Sequence, residues 1–253
     1  MSLESHSSEA TPAGIADLPP DIQLVWHGVN DAINLRQFLA SDVAWCELDV
    51  NPDPEGRELI LRHDSFAERP LQPGEALLTL RETLPRLLDR GKSIKLDFKA
   101  GDSWIDAGLA LVDRHHIPTD RLWLNGDLDL LGETTIRRMA ARYPGAIVQV
   151  PLTSLPVQPE RGEEFAAQLA SLRGWGINRF SVGWPYRKAP GLIDWLKQEG
   201  HAFNLYGVRT LEEFLQAVAL HPAAVTADFN FPQWGYYGRG SGHNGTYYAY
   251  APA

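Results

Sequence analysis

Short apolar runs alternate with longer amphipathic segments along most of this chain. From residue 22 onward the runs have the length of β-strands, and the segments between them carry apolar residues at helical spacing. The predicted strands are 22–27, 43–50, 93–98, 121–125, 146–150, 178–182, 202–206 and 224–228. The predicted helices are 31–40, 75–90, 103–116, 134–143, 161–173, 188–199 and 210–220.

Eight strands separated by helices are typical of an α/β fold with parallel crossovers. We predict one closed (β/α)₈ TIM barrel over residues 21–232, with an open doubly wound sheet as the alternative. Segment 58–62 is predicted as an extra strand that pairs locally with the second one. The polar segment 1–20 is expected to be a mobile leader. The Gly- and Tyr-rich tail 233–253 would lie over the barrel mouth or form an association surface.

Three carboxylates lie inside two of the predicted strands. Because successive side chains of a strand point to opposite faces, Glu47 and Asp49 share one face of the second strand, and Asp97 lies in the third. Buried charges are costly unless they are paired or bind a metal. Carboxylate oxygens suit Mg²⁺ or Ca²⁺, and we favour these ions over Zn²⁺ because the histidines suit acid–base work. A structural charge network is the alternative.

Two histidines and a lysine lie at the carboxyl ends of short apolar runs. His27 closes 22–27, His63 closes 58–63, and Lys99 follows 93–98. One imidazole can take a proton from a nucleophile while the other protonates a leaving oxygen. A lysine beside a metal offsets charge on a phosphoryl group. We predict that His27 and His63 are catalytic and that Lys99 contacts phosphate; a structural role is the alternative for each.

Five further residues are predicted to bind substrate. Lys95 shares the inward strand face with the third acid, and Asn125 points inward from the fourth strand. Asn30 follows the first histidine by three positions. Trp184 and Tyr206 would line a pocket for an apolar or sugar-like group, although aromatic residues at such positions are as often part of the core.

The composition of the chain limits the kinds of partner that we expect it to bind. The chain has 253 residues, with 32 acidic and 23 basic side chains and a net charge of −9. That balance gives no general attraction for nucleic acid or anionic membranes, so we expect a small-molecule substrate. Cys46 is the single cysteine, predicted as a buried packing thiol on the helix-facing side. The first 20 residues lack the pattern of a secretory signal, and no apolar run approaches the ~20 residues of a membrane span. We therefore expect a cytoplasmic protein.

The order of four short motifs resembles the glycerophosphodiester phosphodiesterase superfamily of phospholipase-C-like barrels. The motifs are H-G-V-N (27–30), E-L-D (47–49), L-R-H-D (61–64) and L-D-F-K (96–99). The segments WHGVN, ELDV, SIKLDFK and WLNGD are also similar to the menorin-type branch. The pairing of H-x-V-N with D-x-K is similar to the sphingomyelinase D type phospholipases. The resemblance extends over 22–232, where TADFNFP (226–232) resembles the closing strand of the phosphodiesterases.

This resemblance implies a metal-dependent phosphoric diester hydrolase acting on a glycerophosphodiester or a phospholipid headgroup. By position, Glu47, Asp49 and Asp97 would bind the metal, and His27 and His63 would be the acid–base pair. One departure is that Gly-Val-Asn follows the first histidine where typical members have Arg-Gly, and the usual P-E-N-T segment is missing. The alternatives are a non-catalytic, menorin-like ligand-binding module, a lyase that forms a cyclic phosphate, and a metal-assisted enzyme acting on a sugar or carboxylate.

Overall fold

The computed structural model describes residues 19–101, 103–185, 191–230 and 235–236. The predicted leader, 1–20, and the predicted tail, 233–253, lie almost entirely outside these residues. Their proposed boundaries and roles therefore remain predictions. The predicted barrel domain falls largely within the described part of the chain.

Eight parallel strands close into a barrel surrounded by helices. The barrel strands are β1 (Gln23–Trp26), β2 (Trp45–Pro52), β4 (Ser93–Phe98), β5 (Leu122–Gly126), β6 (Ile147–Pro151), β7 (Arg179–Gly183), β8 (Phe203–Val208) and β9 (Ala224–Ala227). The barrel closes because β1 pairs with both β2 and β9. Strand β3 (Leu59–Leu61) pairs antiparallel with β2, as predicted. The closed barrel is confirmed, and the open doubly wound sheet is wrong. A short antiparallel pair, β10 (Phe229–Asn230) and β11 (Gly235–Tyr236), follows the last barrel strand.

Helices connect the strands, as the amphipathic segments predict. They are α1 (Ala32–Ala40), α2 (Leu80–Leu88), α3 (Ser103–Arg114), α4 (Leu128–Arg142), α5 (Glu163–Trp175), α6 (Leu192–Gln198) and α7 (Leu211–Ala219). The starts of α2 and α4 differ most from prediction. Helix α2 begins at Leu80 rather than 75, because the Thr79 hydroxyl caps it by accepting from the Glu82 N–H. Helix α4 begins at Leu128 rather than 134 and is interrupted at Gly132, whose φ is 65°. Across the part of the chain that the structure describes, no helix is long and apolar enough to cross a membrane.

The main core lies between the outer strand faces and the helices. Ile94, Leu96 and Phe98 are buried there from β4, as strand alternation predicts. Cys46 is buried in the same core, and this burial raises the pKa of its thiol. Helix α3 lies so close to β4 that a Cβ on Gly108 would approach a Phe98 ring carbon to 2.6 Å. Glycine is thus required at this contact.

The barrel interior is filled in layers. The strands are staggered, so the registers place side chains from alternate strands at one height. The lowest of these layers contains Trp45, Trp123, Arg179 and Ala224. The next contains Val25, Lys95, Gln149 and Asn204. Above them, Glu47, Asn125, Ser181 and Thr226 lead to the mouth, where His27, Asp97, Pro151 and Tyr206 lie. Aromatic side chains thus lie at the barrel floor, and charged side chains lie at the mouth, where the candidate site is.

Candidate active site

A cavity of about 1040 Å³ opens at the carboxyl ends of the barrel strands. Most of the predicted site residues line it, although they come from distant parts of the chain. These are His27, Glu47, His63, Lys95, Asp97, Lys99, Asn125, Trp184 and Tyr206. The other two, Asn30 and Asp49, are fully buried directly behind the lining. The structure therefore brings the predicted residues to one place, at the barrel end where such folds carry their active sites.

Three carboxylates form an acid group within this cavity. The parallel pairing of β2 with β4 places Asp49 opposite Asp97, and Glu47 lies two residues before Asp49. One oxygen from each side chain lies within 4.8 Å of the others. Burial, and then the neighbouring Asp49, raise the pKa of Glu47. Three clustered carboxylate oxygens fit a hard divalent cation such as Mg²⁺ or Ca²⁺.

The Lys99 ammonium bridges two members of the acid group. Its Nζ lies 2.7 Å from an Asp97 oxygen and 3.1 Å from an Asp49 oxygen. Burial raises the pKa of Asp97, but the neighbouring Lys99 and Lys95 together outweigh it and the pKa is lowered. Burial would likewise lower the pKa of Lys99, but the carboxylates hold it well above its usual value. Lys99 is therefore a fixed positive charge beside the acids.

Amide side chains fix the orientation of two of the acids. Asn30 donates from Nδ2 to Asp49 at 2.6 Å and accepts from the Asp49 backbone N–H at 3.0 Å. Asn125 donates to Asp97 at 2.6 Å, and Gln149 in turn donates to Asn125 at 2.6 Å. Such supporting hydrogen bonds position metal ligands. Asn30, predicted to contact substrate, is placed behind Asp49, where it supports that carboxylate.

His27 is held by a buried aspartate that is not among the predicted site residues. Its Nδ1 lies 2.7 Å from a carboxylate oxygen of Asp228, and its Nε2 lies 3.7 Å from Glu47. Asp228 is fully buried at the end of β9, 201 residues away in sequence. Because the carboxylate accepts a hydrogen bond from the Nδ1–H group, it fixes the orientation and tautomer of the imidazole. The inward position of Asp228 at the end of a strand is the signal by which it would be found.

His63 has a similar arrangement at the rim of the cavity. Its Nδ1 lies 2.6 Å from Asp64, and Asp64 also accepts from Arg69 at 2.8 Å. Burial would raise the pKa of Asp64, but these two neighbours outweigh it and the pKa is lowered. Both imidazoles thus have an aspartate on Nδ1. This is the arrangement that orients a histidine for proton transfer through Nε2.

A buried arginine holds the loop that carries His63. Arg62 follows β3, and its guanidinium donates to Glu75 at 2.8 Å, with both side chains buried. It also donates to the backbone carbonyls of Asp64 and Arg69. These contacts hold the loop 62–75 against the Arg62 guanidinium. Arg62 is not among the residues predicted from the sequence, although a charge between the apolar run Leu59–Leu61 and His63 is its signal.

We expect Arg62→Met to lower the free energy of unfolding by about 3–5 kcal/mol, because it leaves the Glu75 carboxylate buried without its cation. Urea unfolding measures this loss. The double variant R62M/E75L should recover part of it, since an apolar pair of similar volume replaces the ion pair. Arg137→Met removes an exposed ion pair and is the control, with a loss below about 0.5 kcal/mol. Equal losses of unfolding free energy for R62M and the control would contradict a stabilising role of the buried Arg62–Glu75 ion pair.

No protein-family model and no curated protein matches this sequence. Solved structures do match its fold. A glycerophosphodiester phosphodiesterase from Parabacteroides distasonis has a TM-score of 0.61 and 15% identity, covering 82% of this chain and 93% of that one. One from Agrobacterium tumefaciens has a TM-score of 0.59 and 15% identity, covering 83% and 97%. An Oleispira antarctica phosphodiesterase in complex with the product sn-glycerol-3-phosphate has a TM-score of 0.63 and 16% identity, covering 86% and 95%.

These comparisons agree with the topology derived from the strands. Each of the three structures is matched over more than nine-tenths of its own length, so the likeness extends over the whole barrel. At identities near 15%, such a likeness establishes the fold rather than the activity. The chain therefore has the (β/α)₈ barrel fold of the solved glycerophosphodiester phosphodiesterases.

Proposed function

We propose that this chain is a metal-dependent phosphodiesterase that hydrolyses a glycerophosphodiester or a related phospholipid-headgroup diester. The observation that carries the proposal is one cavity lined by two imidazoles, each held by an aspartate, beside a three-carboxylate acid group. The fold supports it, because the matching solved structures include phosphodiesterases. The bound product of the Oleispira antarctica enzyme makes glycerophosphodiesters the first substrates to test.

The charged residues of the cavity divide into those for the ion and those for the phosphoryl group. Glu47, Asp49 and Asp97 would hold the divalent cation. When bound there, such a cation supplies Lewis-acid stabilisation of charge on the phosphoryl oxygens. Lys99, at 2.7 Å from Asp97, keeps a positive charge at the same point and binds a phosphoryl oxygen. The substrate diester is thus held where positive charge is concentrated.

The histidines move the protons. One imidazole accepts a proton from the attacking water as its oxygen bonds to phosphorus. The other donates a proton to the alcohol oxygen as the bond from phosphorus to that oxygen breaks. Asp228 and Asp64 stabilise the imidazolium that forms at His27 and His63 respectively. The products are a phosphomonoester and a free alcohol.

The upper wall of the cavity provides space for the alcohol group. Trp184 and Tyr206 line this wall from the ends of β7 and β8. Aromatic side chains with a polar atom suit a group that is partly apolar and partly hydroxylated. Asn125, whose amide donates to Asp97, lines the cavity beside the acids and would contact the same substrate.

Removal and return of the metal test the proposed function. Protein treated with a chelator and then dialysed should not hydrolyse glycerophosphodiesters, and Mg²⁺ or Ca²⁺ should restore turnover. Phosphorus NMR spectra of the reaction should show the signal of a linear phosphomonoester from the outset. A cyclic phosphate as first product would instead indicate the lyase reaction. Diester binding with each divalent ion but without turnover would reject hydrolysis and favour a ligand-binding module.

A further inference from the structure

The layer directly below the acid group is polar, which is unusual for a barrel of this kind. Branched apolar residues dominate such layers, whereas here Lys95, Gln149 and Asn204 accompany a single valine. All three polar residues are buried, and Lys95 is 4% exposed. Burial of polar groups costs free energy unless they are hydrogen-bonded. The side chains of this layer are therefore suited to hydrogen-bond a polar ligand or water.

The hydrogen-bonding capacity of the layer is incomplete. Gln149 Oε1 and Asn204 Nδ2 are buried atoms without a hydrogen-bond partner. Among the described residues, the Lys95 ammonium has no hydrogen bond and no carboxylate oxygen within 4.0 Å. Its Nζ lies 5.1 Å above the centre of the Trp123 ring. A cation–π contact of this kind is weak compensation for a desolvated ammonium.

Lys95 is accessible from the cavity although it is almost entirely buried. It is part of the lining, together with Glu47 and Asp97. It attracts both acids electrostatically without forming an ion pair with either. Lys99 differs, because its Nζ already contacts two carboxylates. All three N–H donors of Lys95 are therefore available to a ligand, whereas Lys99 has one left.

We propose that Lys95 forms an anion subsite at the floor of the cavity, where its ammonium binds a non-bridging phosphoryl oxygen of the substrate or of the phosphomonoester product. The subsite rests on the proposed function for the identity of the anion. Gln149 and Asn204 hold ordered water around the ammonium through their unpaired atoms. The ligand class is a phosphate ester, which offers several anionic oxygens to Lys95, Lys99 and a divalent ion together.

The test is calorimetric titration of inorganic phosphate into the whole protein in the presence of Mg²⁺. Lys95→Met keeps the length of the side chain and removes its charge. We expect K95M to weaken phosphate binding by about 10- to 100-fold, because a charge-assisted hydrogen bond is lost. Mg²⁺ affinity, titrated without phosphate, should stay the same or increase, since a positive charge near the acids has gone. Lys95→Arg retains the charge and should keep most of the phosphate affinity.

Arg179 supplies the matched control. Its guanidinium lies 4.5 Å from the centre of the same Trp123 ring, one layer lower, and it does not line the cavity. Arg179→Gln should leave phosphate affinity within about twofold of the wild type, since its charge lies outside the subsite. Equal phosphate affinity for K95M and wild type, or equal losses for K95M and R179Q, would overturn the subsite. Because phosphate binding is measured without turnover, failure to hydrolyse diesters would reject only the proposed function.

Discussion

Replacing His27 with alanine should reduce phosphodiester turnover by about 10²- to 10⁴-fold, which is the usual contribution of a general acid or base. The imidazole lies between Asp228 and Glu47, at 2.7 Å and 3.7 Å from their oxygens, so it faces the acid group inside the cavity. Its removal takes away a proton carrier and leaves all three carboxylates. We therefore expect divalent-ion affinity, measured by calorimetry, to change far less than the rate.

His115→Ala is the control for this variant, because His115 lies at the end of α3, outside the cavity. His27→Asn is a second variant that can still donate a hydrogen bond to the buried Asp228 and protects the fold. Thermal unfolding should confirm that each protein is folded before rates are compared. Full activity in either His27 variant would remove this histidine from the mechanism.

Asp49→Asn should lower divalent-ion affinity by at least about 100-fold, because residues that merely support a metal ligand already contribute about 10- to 100-fold. Asparagine has nearly the shape of aspartate and can keep a hydrogen bond to Asn30. It lacks the charge that the cation requires. Calorimetric titration with Mg²⁺ and Ca²⁺ measures the affinity, and turnover at saturating ion should also fall.

The control for the second experiment is Asp89→Asn, an exposed aspartate at the end of α2. Ion affinity and rate should be unchanged there, because Asp89 is distant from the acid group in the fold. Asp49 would be excluded as a ligand if its variant bound the ion as tightly as the wild type and retained the same rate.

The barrel could be predicted from sequence because its strands have a simple local signal. Runs such as 93–98 are short, apolar and bounded by polar segments, and the period of two assigns Lys95 and Asp97 to the interior. The start of α4 was harder to predict. Gly132 interrupts it with a positive φ, so the helical pattern is continuous only after the break.

Predicting the site was easier for residues that stand within strands than for those that meet across the fold. Glu47, Asp49 and Asp97 are charged positions in apolar runs, which is a local anomaly. The pairing of Asp228 with His27 joins β9 to β1 and exists only because the barrel closes. The clamp of Arg62 on Glu75 depends on the course of a loop that has no regular period. No short-range pattern encodes either contact.

The two histidines are carried by parts of the molecule that can change independently. His27 follows a strand of the closed barrel, whereas His63 lies on a loop whose closure depends on one buried arginine. Shortening or replacing that loop would remove one member of the proposed acid–base pair and leave the acid group and cavity floor intact. Under the proposed function, a change confined to this loop would therefore abolish turnover and leave ligand binding at the acid group and cavity floor.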